Sequence, residues 1–377
     1  MKADVVFALT GEVRRNSRAL KQLRALAALG RRTLVVDLDD PATPDPDVPG
    51  ARVISLGRPT GSGPRFFREV HRRFTRALGS TTGAVYHASD LYVLPAAARA
   101  AGRQGARLVY DARELYPFVA STAGRPWVTL FWHLLEGTYI RRADAVFTVS
   151  AGIAHRLATQ YGIPEPAVLF NVPERKSVAH TDWLHERLSL PVDRVIVLHQ
   201  GNIQHGRGGN VLIEAMRQVR GADLVFLGGG SMRPALELAV RAGGIERIHF
   251  LDPVSPAELL AVTASAHIGV TLLEDTCLNH RFALPNKLFE YLMAGLPVVA
   301  SDLPEIRGVV AGFEVGELVD AGEPASIAAG IQRLVDDPAR RAACAGRAGE
   351  ACETFSWERA SERFTHVYRG FPVIGPS

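Results

Sequence analysis

Residues 283–301, ALPNKLFEYLMAGLPVVAS, combine a proline, a lysine and a glutamate at spacings that suit a phosphorylated ligand. A helix starting after Pro285 leaves the backbone N–H groups of Asn286, Lys287 and Leu288 without intrahelical acceptors, and such a start is a natural seat for phosphate. Lys287 adds a full positive charge. Glu290, three residues along the same helix face, offers a carboxylate that can accept from both hydroxyls of a ribose. One helix start is therefore expected to hold a diphosphate and a ribose together. Read as structure alone, the stretch is an amphipathic helix and a strand with a Lys/Glu pair one turn apart.

A second set of candidates lies in the first half. His87 and Asp90 stand at the end of one strand-like run, and Asp111, Arg113 and Glu114 at the end of the next. A histidine beside an acceptor hydroxyl can orient it or relay its proton, whereas Arg113 cannot act as a base but can bind a phosphate or an acidic acceptor. The alternatives are a satisfied histidine at a strand end and an Arg113–Glu114 ion pair. The loop 10–18, TGEVRRNSR, follows the first strand; Gly11 permits close backbone approach. Arg14, Arg15 and Asn16 either face a ligand there or solvate a helix start. Residues 65–78, RFFREVHRRFTRAL, form a basic amphipathic helix whose apolar stripe packs on its own sheet or lies on an anionic bilayer.

These residues need a scaffold, and the pattern supplies one. Short β-branched runs alternate with helical patterns in two successions, the signature of parallel α/β sheets. Around 173–191 the periodicity fades and prolines and charges accumulate, which marks an interdomain linker. The expectation is two doubly wound Rossmann-like domains: residues 1–178, with a C-terminal helix of about 357–377 packing back on them, and 190–356. They face a central cleft, with ligands beyond the carboxyl ends of the strands.

At 377 residues, 47% hydrophobic and 22% charged, the chain has an ordinary globular composition. Three cysteines without CxxC spacing support neither a disulfide framework nor a thiolate zinc site. No apolar run suits a signal peptide or a spanning helix, so a cytoplasmic protein is expected, with peripheral contact at the inner membrane face if the basic helix touches lipid. Residues 1–178 carry 25 Lys/Arg against 15 Asp/Glu, and the remainder 18 against 24. The basic first half suits anionic partners, or merely reflects arginine-rich helix surfaces.

The segment 283–301 resembles the donor-binding signature of the family 4 retaining glycosyltransferases, in the branch reading PNKLFEY. The likeness extends to 301–310 (SDLPEIRGVV), 198–208 (LHQGNIQHGRG), 145–150 (AVFTVS), 169–173 (LFNVP) and 86–95 (YHASDLYVLP). It implies the GT-B fold, a nucleotide diphosphate sugar (UDP, GDP or dTDP) as co-substrate rather than a cofactor, a sugar or other hydroxyl acceptor, no metal, no nucleic acid, and retention of anomeric configuration. It also implies that the loop 10–18 faces the diphosphate and acceptor, that Leu251 and its neighbours meet the base, and that Gly201, Asn202, Arg207 and Gly208 line the diphosphate.

The family pairs Gly-Arg with Lys-Gly, so one cation has become Asn202 and the other Arg207, and Lys287 is expected to compensate. The first of the family's two glutamates falls on Phe282, leaving Glu274, Asp275, Asn279 or His280 to meet the sugar. DAREL stands where relatives often have DAHEL. The Asp37-Leu38-Asp39 run imitates a metal-binding DxD but is read as a strand end, and Gly228-Gly229-Gly230 alone is no nucleotide fingerprint. Rival functions are a nucleotide-sugar 2-epimerase and a non-catalytic nucleotide-sugar-binding subunit.

Overall fold

The structure, a computed structural model, describes residues 2–374. The chain divides into two compact units, one formed by residues up to Asn171 together with those from Trp357 onward, the other by Val172–Ser356. The division falls at the start of the stretch read as a linker.

The first unit runs β1 (Lys2–Ala8), α1 (Ser17–Ala28), β2 (Thr33–Asp37), β3 (Ala51–Ser55), α2 (Gly63–Gly79), β4 (Thr82–Ala88), α3 (Leu94–Gln104), β5 (Arg107–Ala112), α4 (Pro126–Ile140), β6 (Ala145–Thr148), α5 (Ala151–Tyr161) and β7 (Ala167–Val168). Its seven strands are all parallel, in the order β3-β2-β1-β4-β5-β6-β7. The central strand β1 is buried from Ala3 to Ala8, as continuous apolar runs in a sheet covered on both faces require.

The second unit runs α6 (Trp183–Leu188), β8 (Val195–Gln200), α7 (Gly209–Met216), β9 (Ala222–Leu227), α8 (Arg233–Ala242), β10 (Ile248–Leu251), α9 (Leu259–Thr263), β11 (Ile268–Thr271), α10 (Leu278–Arg281), α11 (Asn286–Met293), β12 (Val298–Ser301), α12 (Pro304–Val310), β13 (Gly316–Val319), α13 (Pro324–Asp336) and α14 (Pro338–Thr354). Six parallel strands follow the order β10-β9-β8-β11-β12-β13. The core packs β8, β9 and β11 against α7, α8 and α13. The short helices α6 and α10 carry no sequence pattern long enough to announce them.

The chain then returns to the first unit as α15 (Trp357–Arg369), which packs on α1. Lys21 lies over the Trp357 ring, and Arg31 donates to the carbonyls of Tyr368, Phe371 and Pro372. Residues 375–377 of the expected C-terminal helix lie outside the described residues. In each sheet the strand order reverses once, between β1 and β4 and between β8 and β11. Such reversals open the crevice where ligands of doubly wound sheets bind.

Candidate functional site

In the second unit the reversal gathers most of the predicted donor residues. The end of β8 delivers His199 and Gln200, followed by the loop from Gly201 to Gly208, and α11 begins beside them. Pro285 is the N-cap of α11, and no side chain caps that helix start. Pro285 and Leu288 are buried, Asn286 is exposed, and Lys287 and Glu290 are partly buried.

Lys287 Nζ stands 3.1 Å from His199 Nε2. Burial, then the nearby charge of Arg207, push the Lys287 ammonium down to about 7, against the opposing pull of Glu290. His199 is fully buried, and burial followed by the Lys287 charge holds its imidazole well below the ordinary range, so it stays neutral. Its Nε2 also lies 3.3 Å from the Arg207 carbonyl, while Nδ1 has no hydrogen-bond partner. A lysine, an arginine and a neutral histidine thus crowd one helix start. Positive charge concentrated where amides already point outward is what an anionic ligand relieves.

Glu290 is aimed by a relay. Gln200 Nε2 donates to Glu290 Oε2 at 2.6 Å, and Thr263 Oγ1 donates to Gln200 Oε1 at 2.7 Å. Tyr291, the next residue, is locked from behind: its hydroxyl accepts from Gln200 N and donates to the Leu198 carbonyl, both at 2.9 Å. Gln200, Thr263 and His199 were not singled out in the sequence; the signal lay in LHQGN, where two polar side chains precede the turn glycine.

The loop after β8 is held by close backbone approaches. Gly208 has φ +71°, and a Cβ there would lie 2.4 Å from Leu272 Cβ. Gly208 N donates to Glu274 Oε1 at 3.2 Å, and Glu274 N to the Gly206 carbonyl at 3.1 Å. Glu274 therefore fastens the loop after β11 to the loop after β8. Of the other candidates for sugar contact, Asp275 pairs with Arg281, and His280 Nδ1 lies 2.9 Å from the Glu274 carbonyl; Asn279 is buried. Gly201 and Asn202 are exposed, and Asn202 Nδ2 donates to Gln204. The 228–230 glycines lie directly against this loop: a Cβ on Gly228 would stand 2.1 Å from the Gly201 carbonyl oxygen. Partly exposed Leu251 gives its carbonyl to Arg233, which also bonds the Gly228 carbonyl and Asp252.

The first unit corrects several expectations. His87 is a core residue: it is fully buried, stacked on Phe7 with centroids 4.3 Å apart, and its Nδ1 lies 2.6 Å from the Tyr368 hydroxyl on α15. Burial pushes its imidazole down to about 3, so the ring is neutral near pH 7. Asn16 caps α1, accepting from Ala19 N at 3.0 Å. Arg14 is tied to Asp39 and to the Thr43 carbonyl. Asp37 accepts from Val13 N and Ser55 Oγ, so both aspartates of the DxD imitation brace the loop after β1. Asp90 does the same, accepting from Thr10 N at 2.8 Å and Thr10 Oγ1 at 2.6 Å; burial raises its carboxyl.

Arg113 is held from the side of the sheet. It is partly buried, reaches Ser89 Oγ at 3.3 Å and lies 3.8 Å from Asp111, whose main partner is Arg18. Burial alone would raise Asp111, but the bidentate Arg18 bonds at 2.8 and 2.7 Å hold it well below the carboxylate range. Glu114 is exposed, and Gly11 is partly exposed with open space where a Cβ would lie. Thr10, Gly11, Asp90 and Arg113 thus mark the strand-order reversal of this sheet. The apolar stripe of α2 is absorbed by its own unit, with Val70, Phe74 and Leu78 buried. Among the described residues, no cluster of His, Cys, Asp or Glu is arranged to hold a metal ion, and no helix is long and apolar enough to cross a membrane.

Residues 15–172 match the glycosyl transferase 4-like domain, and residues 194–337 match the family described as glycosyl transferases group 1. A D-inositol 3-phosphate glycosyltransferase of Xylanimonas cellulosilytica is 34% identical over 249 residues, covering 62% of this chain and 58% of that protein. A second, from Corynebacterium efficiens, is 31% identical over 199 residues, 50% of this chain and 46% of the relative. The chain thus spans about half the length of these curated relatives. Among solved structures, sucrose-phosphate synthase from Thermosynechococcus elongatus superposes with a TM-score of 0.83 at 20% identity, covering 97% of this chain and 98% of that one. Anabaena HepE in complex with UDP gives 0.75 at 16% identity, with 97% and 99% covered. The fold is GT-B.

Proposed function

We propose, for a chain whose two halves belong to the 4-like and group 1 glycosyltransferase families, that it moves a sugar from a nucleotide diphosphate donor to a hydroxyl acceptor with retention of configuration and without a metal. The carrying observation is the start of α11, where amides without a side-chain cap, Lys287 and the neighbouring Arg207 converge beside a carboxylate aimed by Gln200. Lys287, Arg207 and the amides of Asn286 and Lys287 take the diphosphate, Glu290 takes the ribose hydroxyls, and the backbone around Leu251 meets the base. Gly201, Asn202 and Gly208 line the diphosphate, and Glu274 meets the donor sugar. That the Anabaena neighbour was solved with UDP and with UDP-glucose supports a uridine donor as the first to try.

In this reading charge builds on the diphosphate as the anomeric bond breaks, and fixed cations aimed at it supply the largest electrostatic stabilisation. The acceptor hydroxyl attacks from the face the diphosphate leaves. Thr10, Gly11, Asp90, Arg113 and Glu114 are the acceptor-side candidates, with Arg113 suited to an acidic or phosphorylated acceptor. Unpaired Cys277, Cys344 and Cys352 fit a reducing compartment.

A thermal-shift series with UDP-, GDP- and dTDP-sugars identifies the donor, because only a ligand of the folded state raises the Tm. With that donor and an acceptor series, Lys287→Ala should lower kcat by about 100-fold or more while changing donor affinity much less. An unchanged kcat removes Lys287 from this role. Conversion of donor without acceptor identifies an epimerase instead, and binding without any turnover identifies a non-catalytic subunit.

A further inference from the structure

Helix α4 is apolar on both faces. Inward, Trp132, Glu136, Tyr139 and Ile140 are buried, and Trp132 meets Phe67 of α2 edge-on at 4.8 Å. Outward, Trp127, Leu130, Phe131 and Leu134 follow the i, i+3, i+4, i+7 spacing of one helical stripe and remain 81%, 44%, 57% and 59% exposed. Four large apolar side chains in one stripe on an otherwise well-packed unit need a covering partner.

The surroundings say which. Helices α2, α3 and α4 pack side by side, α2 on α3 and α3 on α4. Exposed along them are Arg65, Arg68, Arg72 and Arg76 of α2 and Arg99 and Arg103 of α3; Arg125 and Arg141 flank α4. The only acidic residues in the three helices are Glu69, which pairs with Arg73, and Glu136, which is buried. An apolar ridge beside a wholly basic helix layer is complementary to an anionic lipid surface, where aromatic and leucine side chains enter the acyl boundary and arginines meet headgroup phosphates. A second copy of the same face would set arginines against arginines.

We propose that the α4 stripe is a membrane-docking edge that inserts into anionic bilayers, with the α2 and α3 arginines holding the headgroups. This differs from the sequence expectation, which gave the inserted face to α2; that apolar face is already buried in the unit. The inference does not depend on the donor site.

The full chain is tested by co-sedimentation with vesicles of phosphatidylcholine alone and of phosphatidylcholine with about one third phosphatidylglycerol, reading tryptophan emission in parallel. Binding to the anionic vesicles is expected, weakened by salt, with a blue shift that disappears in Trp127→Phe. Leu130→Ser combined with Phe131→Ser should reduce partitioning by more than tenfold, and Arg68→Gln combined with Arg72→Gln on the order of tenfold or more. All of these are surface positions, so the Tm and its donor-induced rise should be unchanged. Equal binding to neutral vesicles, undiminished binding by either double variant, or a concentration-dependent dimer that the Leu130/Phe131 variant converts to monomer would each overturn the proposal.

Discussion

Two buried or half-buried ionisable groups, Lys287 and Glu136, carry pH signatures that can be read separately. With Lys287 pushed down to about 7, the free protein carries its charge at pH 6 and has largely lost it at pH 8. A diphosphate favours the charged form, so above pH 7 binding takes up a proton and nucleotide affinity should fall, by less than about tenfold in all, as pH rises to 9. Calorimetry in two buffers of different ionisation enthalpy measures that uptake, and Lys287→Met should abolish it. Glu136 is the opposite case: it lies buried between the Tyr110 and Tyr161 hydroxyls, at 2.6 and 2.8 Å, and burial pushes its carboxyl up from 4.5 to about 7 despite those bonds. Between these two values the folded state keeps a proton that the unfolded chain has shed, so the contribution of Glu136 to stability falls as pH rises through that window and levels off above it, opposite in sign to that of the buried neutral histidines His87 and His199. The Glu136 contribution should total about 3 kcal/mol, read as the difference between the parent chain and Glu136→Gln at each pH. Denaturant melts from pH 4.5 to 8 check both halves of the statement.

At the scale of elements, the turn after β8 is the most exacting piece of backbone. Alanine at Gly208 meets both a left-handed φ and the Leu272 side chain, and should cost about 2 kcal/mol or more and displace Arg207 with it. Gly102→Ala, inside α3 with nothing near the added carbon, should be neutral or stabilising; paired thermal melts separate the two. The glycines, the proline and the alternation of patterns made this loop, α11 and both sheets readable from sequence. What stayed hidden depended on contacts distant in sequence. A strand-end histidine looks reactive until a helix some 280 residues later covers it, and Asp111 looks like a ligand until Arg18 arrives from α1. Asn16 was readable differently, since an asparagine just before a helical pattern is first of all an N-cap. Periodicity also cannot show that α4, apolar all round, leaves one of its faces uncovered.

At the scale of the whole chain, the first unit is completed only by residues beyond the second. A chain ending before Trp357 lacks the Tyr368 bond to His87, the Phe364 packing and the carbonyls that hold Arg31. Such a truncation should melt the first unit while leaving the second folded, visible as loss of one calorimetric transition. Tyr368→Phe alone should cost about 1–3 kcal/mol, because it strands a buried imidazole nitrogen. The same return brings Ile374 N to within 2.9 Å of the Asp4 carboxylate on the first strand. Residues 4 and 374 are therefore neighbours, and joining residue 374 to residue 2 through a few glycines would close this stretch of chain into a ring. Reopening that ring at a surface turn such as 57–62 would place α15 in the interior of the sequence while keeping the same architecture.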